Sequence, residues 1–187
     1  MLLRHVAAGV PLNGIVAAIG AALFLGAVMT LGDFLWAFFG LRHSMTAGIA
    51  HGALMCLCIG GVIGQRAGRL QLGLTVGPLI GVLAALAFYA MASTLGWGAM
   101  LPAWMLFWIC FALLQHFVRR ETLNAAVGRG VIAAVLSGLA FYAISGIWTG
   151  PARGGPNYLV HFLYWSFAFL PGFVVLFFRR SPRNTSR

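Results

Sequence analysis

The sequence predicts an all-α fold, a polytopic membrane bundle of six transmembrane helices joined by short loops. Three observations carry that expectation. Hydrophobic residues make up 61% of the 187-residue chain and charged residues 7%, against roughly 25% charged in a soluble domain. So few charges cannot cover a water-facing surface. Six apolar runs span residues 12–39, 45–63, 72–95, 100–118, 127–148 and 158–178, each long enough to cross a hydrocarbon core that takes about 20 helical residues. Finally, the arginines alternate between the gaps. Arg4, Arg66, Arg69, Arg119, Arg120, Arg129, Arg179, Arg180, Arg183 and Arg187 fall on one side, and only Arg42 and Arg153 on the other. The excess of basic residues on cytoplasmic loops then places both termini in the cytoplasm. The runs leave no room for a soluble domain, so residues 1–187 are read as one transmembrane domain.

The first run follows Arg4 and begins like a secretory signal. It continues almost to Leu41, whereas a cleavable apolar region is roughly 7–15 residues; it is read as a membrane helix. The second run ends in Gly60-x-x-x-Gly64, and the third carries Gly73, Gly77 and Gly81. Small residues four apart let helix backbones approach closely in lipid, so the third run is expected to be the central helix. Pro11, Pro102 and Pro156 stand at or just before first turns, while Pro78 and Pro171 lie inside runs and are expected to kink them. The fourth run ends in Gln115-His116 before Arg119-Arg120-Glu121, a helix end expected to meet lipid headgroups with Glu121 paired to an arginine. The fifth repeats Leu86-Ala87-Phe88-Tyr89-Ala90 of the third as Leu139-Ala140-Phe141-Tyr142-Ala143, which suggests three tandem helical hairpins. Trp36, Trp97 and Trp148 fall near the arginine-poor ends, as an interfacial belt requires.

Composition also excludes functions. The net charge of +10 is carried by arginines set between apolar runs. No polar face is left for nucleic acid, and the expected partners are membrane lipids with anionic headgroups. A homo-oligomer or a larger membrane complex would also suit the composition. Cys56, Cys58 and Cys110 all lie inside runs and imply no disulfide framework; Cys56 and Cys58 point about 200° apart on a helix. The sequence lacks the zinc-protease HExxH, the GxSxG elbow, the P-loop and the dinucleotide GxGxxG fingerprint. Asp33 and Glu121 are the only acids, which leaves nothing for catalysis by paired carboxylates. A non-catalytic membrane protein is expected.

Polar groups inside lipid are the informative ones. His51 and His161 lie six and three residues into their runs, about 9 and 5 Å along the helix at 1.5 Å per residue, and so at similar depth. Asp33 lies near the end of the first run, with Arg42 and His43 as the nearest partners for an ion pair or proton site. The expected ligand site is an intramembrane pocket for a lipid or other apolar molecule, lined by His51, Tyr142, Asn157 and His161. Other readings stay open: a small transporter or channel with Asp33, His51 and His161 on its path; a redox subunit, haem- or quinone-linked, with His51 and His161 as axial haem ligands; or a structural subunit of a membrane complex. His51, Met55 and Cys58 share a helix face and would make a soft-metal set. No resident cofactor or metal is expected, haem being the alternative. Abundant Ala, Gly and Arg without lysine point to a GC-rich bacterial source and hence to the inner membrane.

The segment from Tyr142-Ala143-Ile144-Ser145-Gly146-Ile147-Trp148-Thr149 to Pro156-Asn157-Tyr158-Leu159-Val160 resembles the last helical hairpin of the Insig family, six-helix membrane proteins that hold sterols or diacylglycerol between helices. There an aromatic-rich helix end precedes Pro-Asp-Phe-Leu-Tyr; here Asn157 replaces the acid and Tyr158 the phenylalanine. The resemblance covers about thirty residues. That family's prolines and cysteines of the second helix are not reproduced in His51-Gly52-Ala53-Leu54-Met55-Cys56. The resemblance implies a non-enzymatic lipid binder.

Overall fold

A computed structural model describes residues 12–41, 44–119, 121–148 and 157–178, with backbone only over 145–148. The described chain is helical: α1 Leu12–Phe38, α2 Met45–Arg66, α3 Leu70–Leu95, a 3-10 turn Gly96–Ala99, α4 Met100–Arg119, α5 Leu123–Trp148 and α6 Tyr158–Phe177, with no strand among the described residues. Five continuous helical stretches are long and apolar enough to cross a membrane; one of them, Leu70–Arg119, joins α3, the 3-10 turn and α4 over 50 residues. The protein is an integral helical membrane bundle.

Local chemistry sets the ends. The Ser44 hydroxyl accepts from the Ala47 N–H at 3.3 Å to start α2, the Thr122 hydroxyl accepts from Ala125 N–H at 3.4 Å to start α5, and the Asn157 side chain accepts from Val160 N–H at 3.1 Å to start α6. Each supplies an acceptor to a first-turn donor that has no partner within the helix. α1 and α2 close with one motif. Gly40 and Gly68 adopt φ of +68° and +67°, and the following residues, Leu41 and Arg69, donate back to Trp36 and Gly64 carbonyls at 2.8 Å. A left-handed residue just past a helix is where glycine costs least. α2 thereby extends to Arg66 and α3 begins at Leu70, a tighter turn than the sequence predicts. α5 starts four residues before the predicted run, at Leu123, where Thr122 caps it.

α2 packs along α3, α1 along α6, α4 along α5 and α5 along α6, whereas contact between α1 and α2 is sparse. The tightest seam is α2–α3. A Cβ on Gly73 would fall on the Gly60 carbonyl, one on Gly77 on the Cys56 carbonyl and one on Gly81 on the Gly52 carbonyl. The two helices thus run antiparallel with backbones in contact. α3 buries only Gly73, Gly77, Ile80, Gly81 and Ala84, so it stands at the edge rather than the centre. The reason is volume: a glycine stripe brings one neighbour close but fills no interior. α4 has the bulky stripe, with Ala103, Trp104, Phe107, Trp108, Phe111, Ala112, Leu114 and Gln115 buried at the spacing of a single helix face. Trp104 stacks on Phe169 of α6 at 5.3 Å, and Trp108 meets Phe173 edge-on at 5.6 Å, above Gly172, where any side chain would collide with the indole. α3 and α6 run on through Pro78 and Pro171 without interruption.

At the arginine-rich end, Glu121 pairs with Arg129 as the sequence predicts, and the Arg66 guanidinium lies 4.5 Å over the Phe177 ring. Gln115 departs from expectation. Its side chain is fully buried and neither amide atom has a hydrogen-bond partner, so it faces the core and not the headgroups. It is four residues after Phe111 and seven after Trp108, and it shares their inward face.

Candidate functional site

The polar residues near the arginine-poor end converge on Asp33. This carboxylate stands on α1, one turn before Trp36 and one turn after Thr30. Its Oδ2 accepts from the Trp165 indole N–H at 2.8 Å and lies 3.4 Å from His161 Nε2, both on α6. Its Oδ1 lies 3.7 Å from His51 Nε2 on α2. The side chains are partly covered, with relative exposures of 26% for Asp33, 17% for His51 and 18% for His161. One carboxylate therefore links three helices. His51 and His161, predicted at similar depth, both reach the same acid.

The hydrogen bonds set the protonation pattern. The Trp36 indole N–H donates to His51 Nδ1 at 2.8 Å. An indole N–H only donates, so Nδ1 carries a lone pair and the proton of neutral His51 sits on Nε2, facing Asp33. Gly32 makes room for this ring: a Cβ there would lie 3.1 Å from imidazole atoms of His51. Phe34 packs on Tyr158 at 4.1 Å and on the His161 ring at 5.0 Å. Trp165 stacks on Phe169 at 5.6 Å, which ties the site to the aromatic core. One turn below Asp33, the buried Thr30 hydroxyl has no hydrogen-bond partner.

Two residues expected beside the histidines have other tasks. The Tyr142 hydroxyl donates to the Trp97 carbonyl at 3.1 Å, and the Gly98 carbonyl lies 3.4 Å away; it bolts α5 to the α3–α4 turn. Asn157 caps α6. Arg42 and His43 lie outside the described residues. Asp33 finds its partners on α2 and α6. Trp36 and Trp165 were not singled out for the site by the sequence, yet a signal exists: Trp36 is three residues from Asp33, and Trp165 four from His161, spacings that share a helix face. Among the described residues, no group of three or more His, Cys, Asp or Glu is arranged to hold a metal ion. Comparison with protein-family models, with curated proteins and with solved structures finds no match to this chain.

Proposed function

We propose that this is a non-catalytic membrane protein that holds an apolar ligand with a small polar head, the head seated on Asp33, His51 and His161 and the tail lying between helices. The observation that carries the reading is the 3.7 Å separation of Asp33 Oδ1 and His51 Nε2. That is too long for a direct hydrogen bond. One hydroxyl oxygen at about 2.7–2.9 Å from each atom bridges it, donating to the carboxylate and accepting from the imidazole N–H. A half-buried polar pair left short of contact gains from such a guest. In this reading the tail enters between α1 and α2, where contact is sparse, while glycine closes the α2–α3 seam. The Insig resemblance points the same way, toward neutral lipids with a free hydroxyl.

The reading includes six crossings. The 50-residue stretch Leu70–Arg119 would measure about 75 Å as a straight helix, more than twice a hydrocarbon core of about 30 Å. Gly96, at φ +53°, supports a reversal there into two spans. The ten-to-two arginine split supports cytoplasmic termini and a site in the outer leaflet, and the lysine-free, Ala-, Gly- and Arg-rich composition supports a bacterial inner membrane, with its lipids as partners.

Native mass spectrometry of gently extracted protein tests the function. A single retained neutral lipid, lost in Asp33→Asn, is the expected result; no retained lipid counts against it. A second reading, proton-coupled transport, is favoured by the same intramembrane acid flanked by two imidazoles. Liposome flux abolished by Asp33→Asn would favour it over binding alone.

A further inference from the structure

We infer that Trp36 and His51 form a proton-released latch across the α1–α2 seam. Its consequence for ligand entry rests on the binding reading above, but the latch itself does not. The geometry is specific. Trp36 Nε1–H donates to His51 Nδ1 at 2.8 Å, a bond that needs the Nδ1 lone pair. A second proton on the imidazole goes to that atom, since Nε2 already carries one. Protonated His51 has two N–H donors and no acceptor, so two N–H groups then face each other and the bond must break. The new cation has a carboxylate beside it, with Asp33 Oδ1 3.7 Å from Nε2, and closing that gap makes a charge-assisted hydrogen bond. Protonation thus trades one α1–α2 contact for another: His51 leaves Trp36 and closes on Asp33.

The exchange is local because little else holds the seam. Contact between α1 and α2 is sparse, and α1 offers His51 the smallest side chain, Gly32. The titratable and charged groups around His51 are Asp33 on α1, His161 on α6 acting through Asp33, and Tyr89 on α3, whose hydroxyl lies against Gly48, one turn before His51; Arg42 and His43 lie outside the described residues. Trp36 is half-buried beside exposed Phe38 and Phe39, so a released indole has an interface to move into, where amphipathic rings are favoured. The seam is held through Trp36 at neutral pH and through Asp33 as the pH falls, with the Trp36 indole released.

The test follows the Trp36 indole N–H by NMR in the full chain, labelled with 15N-tryptophan and held in phosphatidylcholine nanodiscs. The signal is assigned by its loss in Trp36→Phe. Between roughly pH 8 and 5, the window in which histidine charge changes, it is expected to shift in one step and lose protection from solvent exchange. His51→Asn keeps an acceptor where Nδ1 stood but does not titrate, and should hold the signal constant; His161→Asn should leave the step in place. A signal flat across the range in the wild type overturns the latch. So does a step that survives in His51→Asn, or one that vanishes only in His161→Asn. Should either variant misfold, 15N-histidine spectra of the wild type decide: the two His51 nitrogens must change together with the Trp36 signal, and independent titration overturns the proposal. Lipid retention in the same nanodiscs is read separately, so a working latch without a bound lipid contradicts only the binding reading.

Discussion

Replacing Gly77 by alanine should destabilise the protein, and replacing Gly20 by alanine should not. Both glycines lie inside long apolar helices, so intrinsic helix propensity favours alanine at each by up to about 1 kcal/mol. Their surroundings differ. A Cβ on Gly20 meets nothing within 4 Å, whereas one on Gly77 overlaps the Cys56 carbonyl oxygen and lies 3.0 Å from its carbon and 3.2 Å from Leu57 Cα. These are backbone atoms that cannot rotate aside. α2 and α3 must separate along the seam held by Gly60, Gly73 and Gly81. Overpacking of this kind costs about 1–3 kcal/mol, and each Cα–H···O interaction broken between the two helices adds about 0.5–1 kcal/mol. Set against the propensity gain, the net expectation for Gly77→Ala is about 2 kcal/mol of destabilisation. At roughly 2–4 °C per kcal/mol for a chain of this size, that is a Tm lower by about 4–8 °C. Gly77→Leu should cost more. Gly20→Ala should leave Tm unchanged or slightly higher. Thermal unfolding in one detergent, followed by circular dichroism, compares the variants. Equal Tm values for Gly77→Ala and Gly20→Ala would refute the close-packed seam.

Other outcomes test the site and its supports. Trp165→Phe keeps the ring on Phe169 but removes the N–H donated to Asp33, a bond to a charged group worth about 1.5–3 kcal/mol. A double-mutant cycle with Asp33→Ala, which removes the acceptor, should give strong coupling, and additive losses would show that the bond carries no weight. Gln115→Leu replaces a buried amide with no partner by an apolar side chain of similar size, so Tm should hold or rise; a clear fall would mean that the amide is satisfied. Tyr142→Phe should cost about 0.5–1.5 kcal/mol by freeing the α3–α4 turn, with lipid retention unchanged, because this hydroxyl bonds the Trp97 carbonyl of the turn.

The helical membrane bundle was legible because hydrophobic length is a local property of each run. Helix ends were read from the limits of the apolar runs; Ser44, Asn157, Gly40 and Gly68, which close them in the structure, act within one turn and were not used. What was not legible depends on which faces meet. The Gly73-Gly77-Gly81 stripe announced a close approach but not its partner, and the centre went to α4 because Trp104 and Trp108 have the volume to fill it. His51 and His161 were readable as a pair at one depth, since depth is counted along each helix. That Asp33 would turn to Trp165, 132 residues away, is a property of α1 packing on α6 and has no signature near Asp33. Tyr142 and Asn157 were chosen as polar groups at one depth, yet a tyrosine hydroxyl near a turn and an asparagine before a helix most readily satisfy nearby backbone groups.

The most direct test of the central claim is native mass spectrometry of the wild type beside Asp33→Asn and Tyr142→Phe, with co-purifying lipids identified. The binding account expects one hydroxyl-bearing neutral lipid per chain in the wild type and in Tyr142→Phe, and its loss in Asp33→Asn. A wild-type protein with no lipid retained, or an equal lipid load in all three, would contradict it.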